Sequence, residues 1–577
     1  MQAWWSPVSN ADVRTITRQL GKAPRGVLAI ARRCRFGSPQ VIVCSPVVLG
    51  PGRRSEKKAG VGKGDLRVFP TTYWLTCSYL VAAVGQLEGA GWVRQLSHWS
   101  DEAELVRQMA AAHQRAADER IALVDPRLGA LLQAEQPNQW QVLTQAGIGG
   151  ARSPRGVKCL HLHLADYLAG PVGDERPSTA ATGERNPVGA RVLALLLQHG
   201  CDVTGRPGCH GCSGACLSPE TAEDAGSEPL IAAFDVGTNS CRGLCCRVAD
   251  DQPVVTGFAL RTTRLGEGLQ ETGLLAQNAI ERTIAGLGEL QEELHLSRSG
   301  MNQRSQVIAV GTNAVRSAKN SADFLIKAWE ELGLAVRALP SEEEARLSFQ
   351  GALAGLIRRD DEKNAAGVSE RPILPEPVLV LDIGGGSTEL VSGSARGAVN
   401  WCAGANIGAV RLFELYKRGL CRLPADAVLA PWEAEGPEEL TLLIRTAEHY
   451  LRRELRLPQE EWLMSGTLVG VGGTCTSLAA IDLRLEKYRP EIVQGHRLSL
   501  ESIIQIGRDI ASLSLAKRRR IVGLRPQIGD IILAGVALVI AAMRITGHTE
   551  LLVSDAGILL GLIHQYFNAC IRKKNEV

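Results

Sequence analysis

Two segments of the chain share one design, and that repetition constrains the fold more than any other feature. The first reads Ile231-Ala-Ala-Phe-Asp235-Val-Gly237-Thr238-Asn239-Ser240, the second Val378-Leu-Val-Leu-Asp382-Ile-Gly384-Gly385-Gly386-Ser387-Thr388-Glu389. In each, a short apolar run of the kind that forms a buried strand ends in an aspartate, followed by glycine and hydroxyl residues. Glycine lets the backbone turn tightly and approach a ligand, and the N–H groups and hydroxyls of such a turn can cradle phosphate oxygens. One such turn is a weak signal. The pair predicts two phosphate-gripping hairpins facing each other across a cleft.

A chain of 577 residues has room for several domains around these hairpins. Its net charge of +3 excludes a general polycation, so any polyanion site has to come from local clusters of Lys and Arg, and nucleic acid is not indicated. The fifteen cysteines are too dilute for a disulfide scaffold, and Cys245 and Cys246 read as reduced core residues. No apolar signal core follows the first charges, and the run Ile531 to Met543 is too short to span a bilayer. The expectation is a cytoplasmic protein with no membrane segment. Composition divides the chain into a loose leader (1–27), an N-terminal domain (28–200), a Cys- and Gly-rich linker (201–228) and two α/β lobes (229–360 and 374–577) separated by a polar break.

Four further segments carry candidate chemistry. Ile308 to Arg316 reads as a strand leading into a helix, where Arg316 is either a surface arginine or a bidentate phosphate ligand. Ser341-Glu-Glu-Glu344 opens a helix; Ser341 and Glu344 fit a capping box, while a carboxylate aimed into a phosphate cleft can act as a general base toward water. Gly470-Val-Gly472-Gly473-Thr474 is a third glycine turn after an apolar strand, either a site for a nucleotide or a further phosphate or a tight connection without ligand. The run Lys517-Arg-Arg-Arg520 is a solvated helix face or a track for a polyanion.

Taken in order and spacing, these segments, together with Arg264 to Gly268, Thr312 to Asn320, Asn406 to Arg411 and Ser554 to Gly557, resemble the exopolyphosphatase and guanosine pentaphosphate phosphatase (Ppx/GppA) family from about Pro229 to Phe567. The resemblance implies an actin-like fold of two ribonuclease-H-like lobes, preceded by a separate α+β domain. It implies hydrolysis of terminal phosphoanhydride bonds in inorganic polyphosphate or pppGpp. Glu344 matches the family's water-activating glutamate, and Asp382 and Glu389 match its acidic pair near a divalent metal, expected to be Mg²⁺. Asp235 with Gly237, Thr238, Asn239 and Ser240, and Gly384, Gly385, Gly386 and Ser387, match the phosphate loops. Arg316 matches a phosphate-binding arginine, and Gly472, Gly473 and Thr474 the third turn. Many members are dimers, so a homodimer is expected by resemblance alone. The segment Gly523 to Asp530 departs from the family, with Ile528 and Gly529 standing where Arg-Ala usually precedes the aspartate. Other readings of the same fold are an ATPase and a non-catalytic polyphosphate or alarmone sensor.

Residues 33 to about 190 resemble a bacterial domain family of unknown function, on Arg33 to Gly37, Phe69 to Cys77, Gly147 to Gly150, Gly156 to His163 and Asn186 to Gly189. Cys159, His161 and His163 alternate with leucine, so a strand would turn all three to one side. Such a strand would either bind a transition metal, with Cys34 or Cys77, or hold hydrogen-bonded polar residues around a buried thiol. Cys201, Cys209, Cys212 and Cys216 form a cluster whose Cys-x-x-Cys pair has zinc-like spacing, a candidate structural Zn²⁺ site.

Overall fold

The computed structural model of the protein describes residues 2, 4–49, 66–99, 102–153, 155–172, 185–205, 230–249, 252–296, 306–363, 374–421, 437–457 and 465–571. They form two compact units, residues 1–227 with 322–337, and residues 228–321 with 338–577.

The first unit is α+β. Strands β1 (Val27–Arg33), β2 (Pro39–Cys44), β3 (Val47–Leu49), β4 (Leu66–Val68) and β5 (Tyr73–Leu75) make a β1-β2-β5 antiparallel sheet and a β3-β4 ribbon. The expected loose leader is instead structured at Asn10–Leu20, a helix whose Ser9 and Asp12 form a reciprocal capping box. Its Ile16 is fully buried against Ile30 and Ile42, and this packing orders the segment. Period two also misled at residues 160–168. Leu160–Leu168 is a helix with Leu160, Leu164 and Leu168 buried one turn apart, which leaves Cys159 at its N-cap.

The second unit holds two sheets of matching plan. Strands β6 (Leu230–Val236), β7 (Ser240–Ala249), β8 (Gln252–Thr262) and β9 (Gln306–Gly311) lie in the order β9-β6-β7-β8, and β10 (Val336–Ala338) falls on the boundary between the units. Strands β11 (Val378–Ile383), β12 (Thr388–Gly393), β13 (Val399–Ala405), β14 (Thr467–Val471), β15 (Arg497–Ser499) and β16 (Glu550–Val553) lie in the order β13-β12-β11-β14-β16-β15. In both, an antiparallel meander is followed by a parallel strand beside its first member: β6 pairs antiparallel with β7 and parallel with β9, and β11 does the same with β12 and β14.

The lobes are not cut cleanly at the polar break. Helix Ser341–Lys363, expected with the first lobe, packs its Ala345, Phe349, Ala352 and Leu353 on Val378, Val380, Val391 and Val469 of the second sheet. The C-terminal helix Ile558–Ile571 packs back on β6, β7 and β8. The two helices cross at glycines: a Cβ on Gly351 would collide with the Gly557 carbonyl, and one on Gly561 with the Leu347 carbonyl. The run expected to be a buried helix is one: in Ile532–Thr546 almost every residue is buried. No helix among the described residues is long and apolar enough to cross a membrane.

Candidate active site

Each sheet delivers one hairpin turn to a common cleft of about 1030 Å³. In the first, the Gly237 N–H bonds the Ser240 carbonyl at 3.1 Å; in the second, the Gly384 N–H bonds the Ser387 carbonyl at 3.0 Å. The two turns face one another closely. A Cβ on Gly385 would lie 3.2 Å from the Thr238 Cβ, and one on Gly386 would lie 2.5 Å from Asn313 Oδ1 and 2.9 Å from Thr238 Oγ1. Only a hydrogen side chain fits there. Thr312, Asn313 and the third turn at Gly472, Gly473 and Thr474 also line it. Gly472 has φ +90°, and a Cβ there would stand 3.1 Å from Asp382 Oδ1.

Identical register gives the hairpins opposite electrostatics. Asp235 is directly across from Arg242, and Asp382 directly across from Glu389. In the first hairpin the acid is neutralised at once: Arg242 Nε donates to Asp235 Oδ2 at 2.9 Å, and its Nη2 to the same oxygen. In the second, two carboxylates share one face of an antiparallel pair, an arrangement that costs stability unless a cation intervenes. Asp382 receives a 2.5 Å hydrogen bond from Ser348, while Glu389 Oε1 is buried with no hydrogen-bond partner. Burial raises the pKa of both, and neighbouring carboxylates push each higher still.

Glu344 joins this group from helix Ser341–Lys363. Its amide bonds the Pro340 carbonyl, so the helix begins at Ser341, and the carboxylate turns to Arg316 rather than closing a capping box. Arg316 Nη1 donates to Glu344 Oε2 at 2.9 Å and to the Leu339 carbonyl at 2.6 Å. Burial pushes the Glu344 carboxyl up to about 7 against the pull of Arg316, with Asp382 and Asp235 adding to the rise. The expected phosphate ligand Arg316 is therefore engaged with the expected base.

Other cleft residues had no role assigned from sequence. Arg242 was detectable by counting, because the register that sets Gly237 against Ser240 sets residue 242 against Asp235. Asp555 follows a strand, as Asp235 and Asp382 end theirs; it accepts from Tyr488 Oη and takes its backbone position from Gln494 Oε1, 2.6 Å from its N–H. Arg525 lines the cleft beside Gly473, its pKa lowered by burial and by Arg242. The departure at Gly523 to Asp530 also acquires a partner: Asp530 Oδ2 accepts from Arg264 Nη2 at 2.9 Å, joining the two lobes. The basic run is broken up, since Arg518 is buried and paired with Glu439 at 2.7 Å. In the cysteine cluster, Cys201 is buried and bonded to Tyr79, while Cys209, Cys212 and Cys216 lie outside the described residues.

Paired sheets that each carry a glycine hairpin into one cleft, with a buried acid cluster beside them, define a two-lobed α/β protein of the actin-like kind. Residues 254–568 match the Ppx/GppA phosphatase family, and the chain belongs to that family of hydrolases. Residues 30–194 match a protein family of unknown function, DUF501. A bifunctional 3-dehydroquinate synthase/phosphatase of Fusobacterium nucleatum is 26% identical over 341 residues, 58% of this chain and 46% of that one. The chain thus spans less than half the length of that relative. Exopolyphosphatase 2 of Mycobacterium tuberculosis is 29% identical over 351 residues, 58% of this chain and 97% of that one. The crystal structure of the Aquifex aeolicus Ppx/GppA family member is 27% identical, covers 59% of this chain and 97% of its own, and has a TM-score of 0.43.

Proposed function

We propose that the C-terminal part hydrolyses the terminal phosphoanhydride bond of inorganic polyphosphate or pppGpp. The observation that carries this reading is Glu344, buried in the cleft, gripped by Arg316 and shifted toward neutrality beside two facing hairpin turns. A base with a pKa near the working pH combines a useful ionised fraction with real proton affinity. Glu344 accepts a proton from water as its oxygen attacks the terminal phosphorus, and the bond from phosphorus to the bridging oxygen breaks, leaving a shortened chain and orthophosphate. The N–H groups and hydroxyls of Gly237 to Ser240 and Gly384 to Ser387 hold the phosphate oxygens in line, which is most of what phosphoryl transfer demands of a protein.

The second hairpin fits a divalent cation. Asp382 and Glu389 stand opposed with no cationic side chain across from them, and Glu389 Oε1 is an orphaned buried acceptor. These two carboxylates would hold Mg²⁺, which supplies positive charge to the phosphoryl oxygens when bound. In the first hairpin Arg242 fills the corresponding position.

Orthophosphate release from polyphosphate and from pppGpp, measured for wild type and Glu344→Gln, tests the proposal. Loss of general-base action should lower kcat by about 10²–10⁴-fold. Equal turnover by both proteins, or none by wild type on either substrate, overturns it.

A further inference from the structure

The first unit contains three ligand atoms converging at the N-terminus of helix Leu160–Leu168, away from the β-strand geometry expected for them. Glu88, from helix Ser78–Gly89, meets Cys159 and His161, and one oxygen, the sulfur and one ring nitrogen all lie within 4.8 Å of one another. The spacing has metal dimensions. A tetrahedral zinc with bonds of about 2.3 Å to sulfur and about 2.0–2.1 Å to nitrogen and oxygen sets N and O about 3.3 Å apart and S and N about 3.6 Å apart. Here His161 Nδ1 is 3.3 Å from Glu88 Oε1 and 3.7 Å from Cys159 Sγ.

The surroundings orient each ligand. His161 Nε2 lies 3.0 Å from the Val81 carbonyl, which only an N–H can satisfy. In the neutral ring that leaves Nδ1 without a proton and pointing into the cluster, the outer-shell bond that metal-bound histidines make. Glu88 Oε1 is fixed by the Leu160 N–H at 2.7 Å and retains a further lone pair. An imidazole nitrogen and a carboxylate oxygen this close need either a proton or a metal cation between them, and a metal competes with the proton that Cys159 and Glu88 favour on this ring. Thiolate and carboxylate together neutralise a divalent ion, so the site is balanced in charge. His163, the other expected ligand, points elsewhere, to Asn186.

We propose that Glu88, Cys159 and His161 bind one Zn²⁺ ion through Oε1, Sγ and Nδ1, leaving a fourth position for water or a small anionic or carbonyl ligand. All three residues are only half-buried, so the fourth position is open to solvent, as in zinc sites with three protein ligands and unlike closed structural ones.

The test uses the full chain with zinc chloride as probe and reads alkylation of Cys159 by iodoacetamide, peptide by peptide, with and without the metal. Zinc should protect Cys159, and Glu88→Gln and His161→Ala should abolish protection at that peptide. Cobalt in place of zinc should give a thiolate charge-transfer band and the strong visible bands of tetrahedral coordination, both lost in Cys159→Ser. Should a variant fail to fold, wild-type protection and the cobalt spectrum still decide. Alkylation of Cys159 at the same rate with and without zinc overturns the proposal and leaves a thiol–imidazole pair. So does protection that persists in folded Glu88→Gln and His161→Ala, or zinc bound only by the cysteines at 209, 212 and 216.

Discussion

Arg242 shows how one residue sets the charge of a hairpin. Its guanidinium is about one-third exposed, but its partner Asp235 is almost wholly buried. Arg242→Ala would strand that carboxylate, and breaking a buried pair from one side costs about 3–5 kcal/mol. Because Arg242 is partly solvated, the lower end, about 3 kcal/mol, is expected as a shift in urea midpoint at unchanged slope. Asp235→Asn combined with Arg242→Ala should recover most of the loss, and additive losses would refute the pairing. At this scale the sequence disclosed residues in turns and concealed those that act only through partners distant along the chain. Gly237, Gly386 and Ser387 stood out because turn chemistry is local. Arg242 acts only across a register, and Arg525 only where a distant loop brings it beside Gly473. The choice between cap and base at Glu344 likewise depended on where Arg316 lay, which no spacing along the chain specifies.

Among elements, the two hairpin turns lie in close contact, the proposed hydrolysis depends on that contact, and a single methyl group probes it. Gly386→Ala places a carbon 2.5 Å from Asn313 Oδ1 and 2.9 Å from Thr238 Oγ1, so these side chains or the turn itself have to shift. A displacement of about 1 Å at a positioning group costs on the order of 10²-fold in rate, and that loss is expected in phosphate release, with only a small shift in Tm. The control is Gly85→Ala, in open space within helix Ser78–Gly89. It should raise stability by up to about 1 kcal/mol and leave turnover unchanged. Unimpaired turnover in Gly386→Ala would mean that the turns do not act as a closed pair. Elements made of short or long apolar runs were legible: the strands that carry Asp235 and Asp382 and the buried helix Ile532–Thr546 lie where expected. The segment from Cys159 misled because its first six residues alternate while Leu160, Leu164 and Leu168 obey the longer helical period.

On the scale of the whole molecule, composition divided the chain at a Cys- and Gly-rich linker but could not show that residues 322–337 group with the N-terminal unit, or that helices Ser341–Lys363 and Ile558–Ile571 pack against sheets other than their expected ones. Such packing is decided by facing apolar surfaces, not by chain order. The N-terminal unit also carries a buried polar network that predicts how the protein meets acid. His113 accepts from the Ile148 N–H at 3.1 Å and is pushed down to about 4, mainly by burial, with His163 and Arg115 lowering it and Asp166 opposing them. Burial lowers the pKa of His163 as well. The unfolded chain takes up these protons near pH 6.5, whereas folded His113 resists until about pH 4. Between those values the unfolded state binds more protons, so stability falls as pH falls. For His113 the full loss is about 3 kcal/mol from the shift, all of it retained above pH 6.5. Urea unfolding of the N-terminal unit, followed between pH 7 and 4, should show this decline. His113→Gln should remove most of the slope, keeping an acceptor near Ile148 without a group to protonate. An equal slope in that variant would assign the acid loss to carboxylates such as Asp12, which Arg33 and Ser9 hold below its ordinary range despite burial.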